Sequence, residues 1–381
     1  MAGTTMSSNL GRWNNPWRVM LAVNAAVMIG LFFYKITLRP FVPYIHLLVD
    51  YHYGFTKRAL IGAIVSLFTD KVPVWLVFAL GGAIWLVTLG LFIELFRRTF
   101  RFDDNHWPLF VFIAGSPFFL KNFIFSLGHF DIYGCALTIV LLLIPARSIA
   151  YVLLAALFSI VLILIHHIFV LMYVPTIAAI VVLRFYLAQG ITSRNVAAGI
   201  ASLAAVGILF LAAQFLGTVD VPYDEFLSHL RSRMADPSRT DLLEFGYIWY
   251  QPLSKEITDT WERMPSNILG VPVFALLIWL HAPLWQYFAR LIEALASELH
   301  RRLVIAALAM ISAGFFIMFV IVFDYSRWIS NWAVCMFLML HAVKMLPASK
   351  EVAVIPADDR RTTTFGWILT LIPRVGIVRP F

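Results

Sequence analysis

The chain has 381 residues, of which 61% are hydrophobic and 13% charged. A soluble globular domain sits nearer one half and one quarter, so these proportions exclude one and indicate an integral membrane protein. The formal net charge of +8 suits contact with anionic headgroups or an anionic substrate. Nucleic-acid binding is not expected, because no basic run interleaves with aromatics in an aqueous segment.

Residues 1–17 form a polar N-terminal segment with Gly, Asn and Ser. No small-residue cleavage site follows the first apolar run, so that run is expected to remain as an anchor. Apolar spans are expected near 18–36, 73–96, 107–122, 130–145, 148–164, 167–185, 195–216, 267–289, 303–323 and 328–346. About 20 such residues cross a bilayer as a helix. They show no period-2 alternation, which argues against a membrane barrel. The expected fold class is all-α: a polytopic transmembrane helical bundle of about ten spans, with the transmembrane domain at 18–346 and a cytoplasmic tail at 347–381. The third and fourth spans are short and marked by Pro117, Gly128 and Gly134. Broken or re-entrant segments are tolerated where they line a cavity.

Lys and Arg set the orientation, with both termini inside. A bacterial cytoplasmic membrane is the expected location. Two large loops, 37–72 and 217–266, then face outward. The first carries Asp50-Tyr51-His52-Tyr53, then Lys57-Arg58 and an amphipathic segment. That segment is expected to be a helix of about 14 residues, roughly 21 Å, lying in the membrane interface. The second loop holds Arg231, Arg233, Arg239 and the aromatics Tyr247, Trp249 and Tyr250, which argue for order. In the tail, Phe365 to Ile372 is apolar but too short to span. Cys135 and Cys335 sit inside apolar segments and imply no disulfide framework. No internal repeat supports an inverted-repeat transporter.

The unusual polar residues cluster at segment ends on the outer side: Asp50, His52, His129, Asp131, His166, His167, Asp324 and Arg327. Charged and imidazole groups are costly beside hydrocarbon, so their convergence marks a candidate site. Asp50 and Asp131 are the candidate catalytic carboxylates, able to take a proton from an acceptor hydroxyl. Each also has a plain structural alternative: a partner for Lys57 or Arg58, and a first-turn helix acid. His52, His129, His166, His167, Asp324 and Arg327 are candidate substrate-binding residues. Arg327 is the leading candidate for a phosphate, being a planar cation. It can instead pair with Asp324 three residues away. Adjacent histidines point about 100° apart on a helix, so His166 and His167 make a poor metal pair. A zinc site from His129, Asp131, His166 and His167 stays open as an alternative. No cofactor is expected, and a divalent metal is optional. Phosphate-loop, dinucleotide, Cys-x-x-Cys and zinc-protease signatures are missing.

Gly128-His129-Phe130-Asp131-Ile132-Tyr133-Gly134 resembles the Gly-His-Phe-Gln-Tyr-Asn segment of membrane glucosyltransferases that use dolichyl-phosphate-glucose. Those enzymes belong to the GT-C fold glycosyltransferases. Position 131 is Asp where that family has Gln, and Gly134 replaces its following Asn. The family carries an acidic residue in the first outer loop, followed by interfacial helices, and Asp50 with the segment after it is similar. The resemblance implies a polyprenyl-phosphate-linked sugar as donor, a glycan acceptor, and membrane lipid around both. It leaves Asp50 and Asp131 as rivals for the catalytic role. Two other functions stay open: a polymerase joining lipid-linked polysaccharide repeat units, and a non-enzymatic transporter or flippase of lipid-linked glycan.

Overall fold

The computed structural model describes residues 15–100, 102–251, 253–322 and 324–375. Among them the ordered structure is helical, with only isolated bridges pairing Val72 with Met234 and Leu295 with Ala348. Most of the polar segment 1–17 lies outside the described residues.

Helix α1 (Pro16–Ile36) starts where Asn15 accepts the Trp17 amide at 3.0 Å, with Pro16 at a position that needs no N–H. Then come α2 (Phe41–Leu48), α3 (Leu60–Ser66) and α4 (Trp75–Thr99). The expected third span breaks at Pro117 into α5 (Trp107–Ala114) and α6 (Leu120–Phe125), because proline cannot continue the helical hydrogen bonds. Next are α7 (Asp131–Leu143) and α8 (Ala150–Ile165). The stretch His167–Gln189 opens as a 3-10 turn, continues as α9 (Tyr173–Val181), widens at Val182–Tyr186 and ends in α10 (Leu187–Gln189). Thr192 caps α11 (Ser193–Phe215). The second loop folds α12 (Tyr223–Arg233) and α13 (Leu253–Ile268). The pair α14 (Val271–Leu280) and α15 (Ala282–Glu293) bends by 62°, next to Pro283. Helices α16 (Glu298–Ile321), α17 (Tyr325–Lys344) and α18 (Arg360–Leu371) complete the chain, the last two capped by Asp324 and Asp359.

Five helical stretches are long and apolar enough to cross a bilayer: α1, α4, His167–Gln189, α11 and α16; the bent pair raises the number to six. The chain is thus a helical protein of membrane character, and the expected count of about ten spans is met only in part. Helices α7 and α8 are apolar but have 13 and 16 residues. Helix α17 has the length, but Arg327, Asn331 and His341 lower its mean hydropathy. The helix after Lys57 is also shorter than expected. It has seven residues, and it is pinned to the end of α2, because a Cβ on Gly62 would sit 1.9 Å from the Val49 carbonyl oxygen.

Two apolar cores organise the fold, with a third small cluster at Ile163, Val174, Val206 and Ala213. The larger runs through the bundle, from Phe92 and Phe96 to Tyr173 and Phe337. The smaller joins the two loops through Tyr44, Leu48, Phe226, Leu230 and Trp249. In the smaller core, burial of each such side chain from water contributes roughly 1.5–3 kcal/mol. Backbone bonds tie the same loops: Val72 N to Arg233 O at 2.7 Å and Lys57 N to Gly217 O at 2.8 Å. The loops therefore form one folded cap.

The tail is folded onto the bundle. Helix α18 packs along α1, with Phe365, Gly366, Leu369 and Thr370 buried. Trp17 Nε1 donates to Ala357 O at 3.1 Å near the start of α1. Lys121 Nζ, fully buried, donates to the terminal carbonyls of α18, Leu369 O at 2.7 Å and Thr370 O at 2.9 Å. Arg374 then lies over the Phe125 ring, whose other cation partner is Lys35. The segment thus runs from the Trp17 end of α1 to its Lys35 end. The apolar residues of this segment thus pack into the bundle beside α1. Twelve helical residues and the extended residues around them reach about 30 Å, the thickness of a hydrocarbon core. Single cysteines at Asp358→Cys and Arg374→Cys are therefore expected to react with a membrane-impermeant maleimide from opposite faces of oriented vesicles. The native Cys135 and Cys335 are buried. Labelling of both sites from one face would contradict this path.

Candidate functional site

A cavity of about 230 Å³ lies between the cap and the ends of several helices. Lys35 lies in the last turn of α1, Leu38 follows it, and His46 comes from α2. Asn122, Phe125, Ser126 and His129 come from α6 and the turn before α7. Tyr247, Gln251, Asp259 and Arg263 belong to the second loop; Val322, Asp324, Arg327 and Trp328 come from the α16–α17 junction, and Val375 from the tail. Five cationic residues line it (Lys35, Arg39, Arg58, Arg263 and Arg327) against two carboxylates, Asp259 and Asp324.

Arg327 is fixed from behind. Its Nε donates to Asp131 Oδ2 at 2.7 Å and its Nη2 to Asp131 Oδ1 at 2.9 Å, a bidentate pair. Its Nη1 faces Asp324 Oδ2 at 3.4 Å, and its guanidinium lies 4.9 Å from the Trp328 ring centroid. Asp131 is the first residue of α7, where the helix dipole favours an anion, and its side chain is 1% exposed. The backbone behind Arg327 is held as well. Asn331 Nδ2 donates to Arg327 O at 2.9 Å, and Tyr173 Oη donates to Asn331 Oδ1 at 2.7 Å. Gly134 makes room for that tyrosine, since a Cβ there would meet its ring at 2.2 Å.

Of the residues singled out in the sequence, His129, His166, Asp324 and Arg327 line the cavity. Asp131 reaches it only through Arg327. His167 is buried beside His166, with ring centroids 5.4 Å apart, and does not line it. Asp50 and His52 lie in the cap. Asp50 accepts from His229 Nε2 and Arg233 Nη1, each at 3.0 Å, and from the His52 amide at 3.0 Å. The His52 ring stacks on His229 at 4.3 Å. Burial raises the Asp50 carboxyl, but the His229 and His52 hydrogen bonds and the Arg233 charge outweigh it and leave the pKa below the ordinary carboxylate value.

Other site residues carry no obvious sequence signal. His46 sits in an apolar run and stacks on Phe130 at 3.8 Å. Burial and the charges of Arg58 and Arg327 hold its imidazole well below the ordinary range, so it is neutral at pH 7. Arg58 is buried and has φ of 63°, the one non-glycine residue in the left-handed region among those described. Such a backbone costs of order 1–3 kcal/mol and collects at functional sites. Asn122 Nδ2, Trp328 Nε1 and the Nδ1 atoms of His46 and His129 have no hydrogen-bond partner among the described residues. Each unpaired buried polar atom costs about 1–3 kcal/mol. No group of three or more His, Cys, Asp or Glu suited to a metal ion occurs among the described residues. No family model, curated protein or solved structure matches the chain.

Asp50→Asn leaves the Arg233 guanidinium buried without its counter-charge, a loss of order 3–5 kcal/mol. It is expected to free the cap, read as faster proteolysis within 217–251. Acid acts in the same direction. A lowered folded pKa means that the stabilisation is complete above the ordinary value near 4 and disappears as pH falls through the lower folded value. Cap proteolysis that is unchanged in Asp50→Asn would contradict the latch.

Proposed function

We propose that this protein is a membrane glycosyltransferase, moving a sugar from a polyprenyl-phosphate-linked donor to a glycan acceptor on the outer face. The observation that carries this is a guanidinium locked in orientation by a buried carboxylate, in a cavity with four further cationic residues at the ends of apolar helices. Phosphate binds such a fork bidentately. The orphaned polar atoms of Asn122, Trp328, His46 and His129 suit an oxygen-rich ligand.

In this mechanism Arg327, Arg58 and Lys35 hold the donor phosphate. The acceptor hydroxyl attacks the anomeric carbon, the bond from that carbon to the phosphate oxygen breaks, and the polyprenyl phosphate leaves. The hydroxyl proton passes to a carboxylate of the cavity wall. Asp324 and Asp259 occupy that wall. Asp131 acts through Arg327, and Asp50 acts through the cap, so both are positioning residues here. The cap excludes water from the donor bond. We further place the shorter apolar helices α7 and α8, the broken pair α5–α6 and helix α17 within the bilayer, which restores a bundle of about ten passes. The interfacial role falls to α13, which shows Trp261 to the outside and Asp259 and Arg263 to the cavity. The bacterial cytoplasmic membrane, with the N-terminus inside, remains the proposed location.

A polymerase of lipid-linked repeat units would use the same cavity and differs in product: a ladder of lengths instead of one added sugar. Mass spectrometry of lipid extracts from cells with and without the gene separates these, and shows whether an unmodified lipid-linked glycan accumulates, as a flippase requires. For the transferase, Arg327→Lys is expected to lower transfer in vesicles about 100-fold, because Lys has no planar fork. Asp131→Asn should cost nearly as much, and the double variant little more, since both substitutions remove one unit. Full transfer by Arg327→Lys would sink the proposal.

A further inference from the structure

The cavity wall continues onto the cap as a row of aromatic rings. Phe41 and Phe245 meet edge to face at 5.5 Å, and Tyr247 follows Phe245 at 6.2 Å; all three line the cavity. Tyr223 comes next. Its hydroxyl lies 3.3 Å from where a Cβ on Gly246 would stand, which sets it beside Tyr247. The Tyr223 ring meets that of Tyr250 at 5.4 Å. Tyr53, from the first loop, donates through Oη to Glu225 O at 3.4 Å, two residues along α12 from Tyr223. The Tyr53 ring in turn meets His52 at 4.7 Å. The row therefore begins in the cavity and ends at an exposed imidazole. Tyr247 and Tyr223 are 40% and 37% exposed, and Tyr53 and Tyr250 are half-buried.

Charge narrows what such a row can hold. Beyond Phe41, the segments that build it, 51–56, 218–230 and 240–251, contain no Lys or Arg. Asp220, Asp224, Glu225 and Glu244 stand exposed on those same segments. Tyrosines that anchor a protein in a membrane interface are normally joined by Lys and Arg, and anionic headgroups repel carboxylates. The same charge repels a phosphate. An uncharged glycan meets neither objection. The C–H faces of its sugar rings pack on electron-rich aromatic faces, and its hydroxyls donate to carboxylates. The cation-rich cavity and the acid-rich row thus select ligands of different kinds.

We propose that this row is the track for the acceptor, a neutral glycan chain of several sugar units that lies along Tyr247, Tyr223 and Tyr53 with one end in the cavity. The assignment rests on the transfer reaction proposed above and adds the chemistry of the acceptor and its path. Length follows from the layout. A single sugar covers Phe245 and Tyr247, whereas a longer chain also covers Tyr223 and Tyr53.

The test uses the full chain in nanodiscs of zwitterionic lipid and an array of purified oligosaccharides of one to six units. The array carries neutral hexose, deoxyhexose and N-acetylhexosamine chains, and uronate chains. In at least one neutral series the longest member is expected to bind about 10-fold or more tightly than the monosaccharide. Tyr223→Ala and Tyr53→Ala should each weaken that longest member about 10-fold and the monosaccharide less than about 2-fold. Tyr223→Phe keeps the ring and should cost less than about 3-fold, which separates stacking from a general loss of fold. A nitroxide on Tyr223→Cys should be relaxed by a water-soluble nickel complex, the native cysteines being buried. Relaxation by oxygen instead places the ring in lipid and overturns the track. So do failure of every neutral chain to bind, affinity that does not grow with length, preference for uronates, and unchanged binding in both Ala variants. Binding needs no donor, so the two readings fail separately. Protein that binds long neutral chains but transfers no sugar in vesicles keeps glycan recognition and loses the transferase, whereas transfer without any oligosaccharide binding loses the track alone.

Discussion

The pair between Asp131 and Arg327 is the constraint on which the rest of the site depends. Both groups sit where water is scarce, and removing one charge from such a pair costs about 3–5 kcal/mol. The geometry answers that penalty with two parallel hydrogen bonds, the N-terminal dipole of α7 and a second carboxylate at Asp324. In return α7 and α17 are registered against each other, and the guanidinium has one orientation. The Tyr173–Asn331 contact extends that register to α9, and Gly134 is the residue that allows it. A bundle of apolar helices alone would have no such fixed rotation, because dispersion contacts are tolerant of sliding.

The cap solves the complementary problem, which is how to keep cations close together around one cavity. Lys57 and Arg58 are nearly buried beneath it, and Lys57 Nζ donates to Gln251 O at 3.3 Å. Asp50 holds the two loops together through His229 and Arg233, so an acid outside the cavity governs the roof above it. Arg233 repeats on this side what Arg327 does below: a buried guanidinium joins segments distant in the chain, here also through Leu48 O and Gly62 O.

Hydropathy located α1, α4, α11 and α16 well, because helices facing lipid are apolar around most of their circumference and need no partner to be recognised. It gave α5 and α6 as one short span marked by Pro117, and α18 as an apolar stretch too short to span. Those elements are short, and their polar groups are satisfied by each other, as when Lys121 meets the carbonyls at the end of α18. A local pattern contains no sign of such a distant match. The same distinction applies at the site. His129, His166, Asp324 and Arg327 stand out as polar residues at the ends of apolar runs, and they line the cavity. Asp50 stands out equally, but its partners belong to the other loop, which no local spacing reveals. His46, Asn122 and Arg58 lie inside runs that read as apolar or as ordinary loop, so their convergence is a property of tertiary structure alone.

The cap is built from two loops that leave the ribosome far apart in time. At roughly 5–20 residues per second, the residues around Tyr44 and Val72 wait about 10–30 s for their partners around Leu230 and Met234 to be synthesised. During that interval the helices from α4 to α11 must be made. The first loop meanwhile presents an apolar half-core with an unmatched edge at Val72. Biogenesis of this protein therefore includes a delayed joining step, and slow or interrupted translation between the two loops prolongs the period in which the half-core is open to aggregation or to a protease.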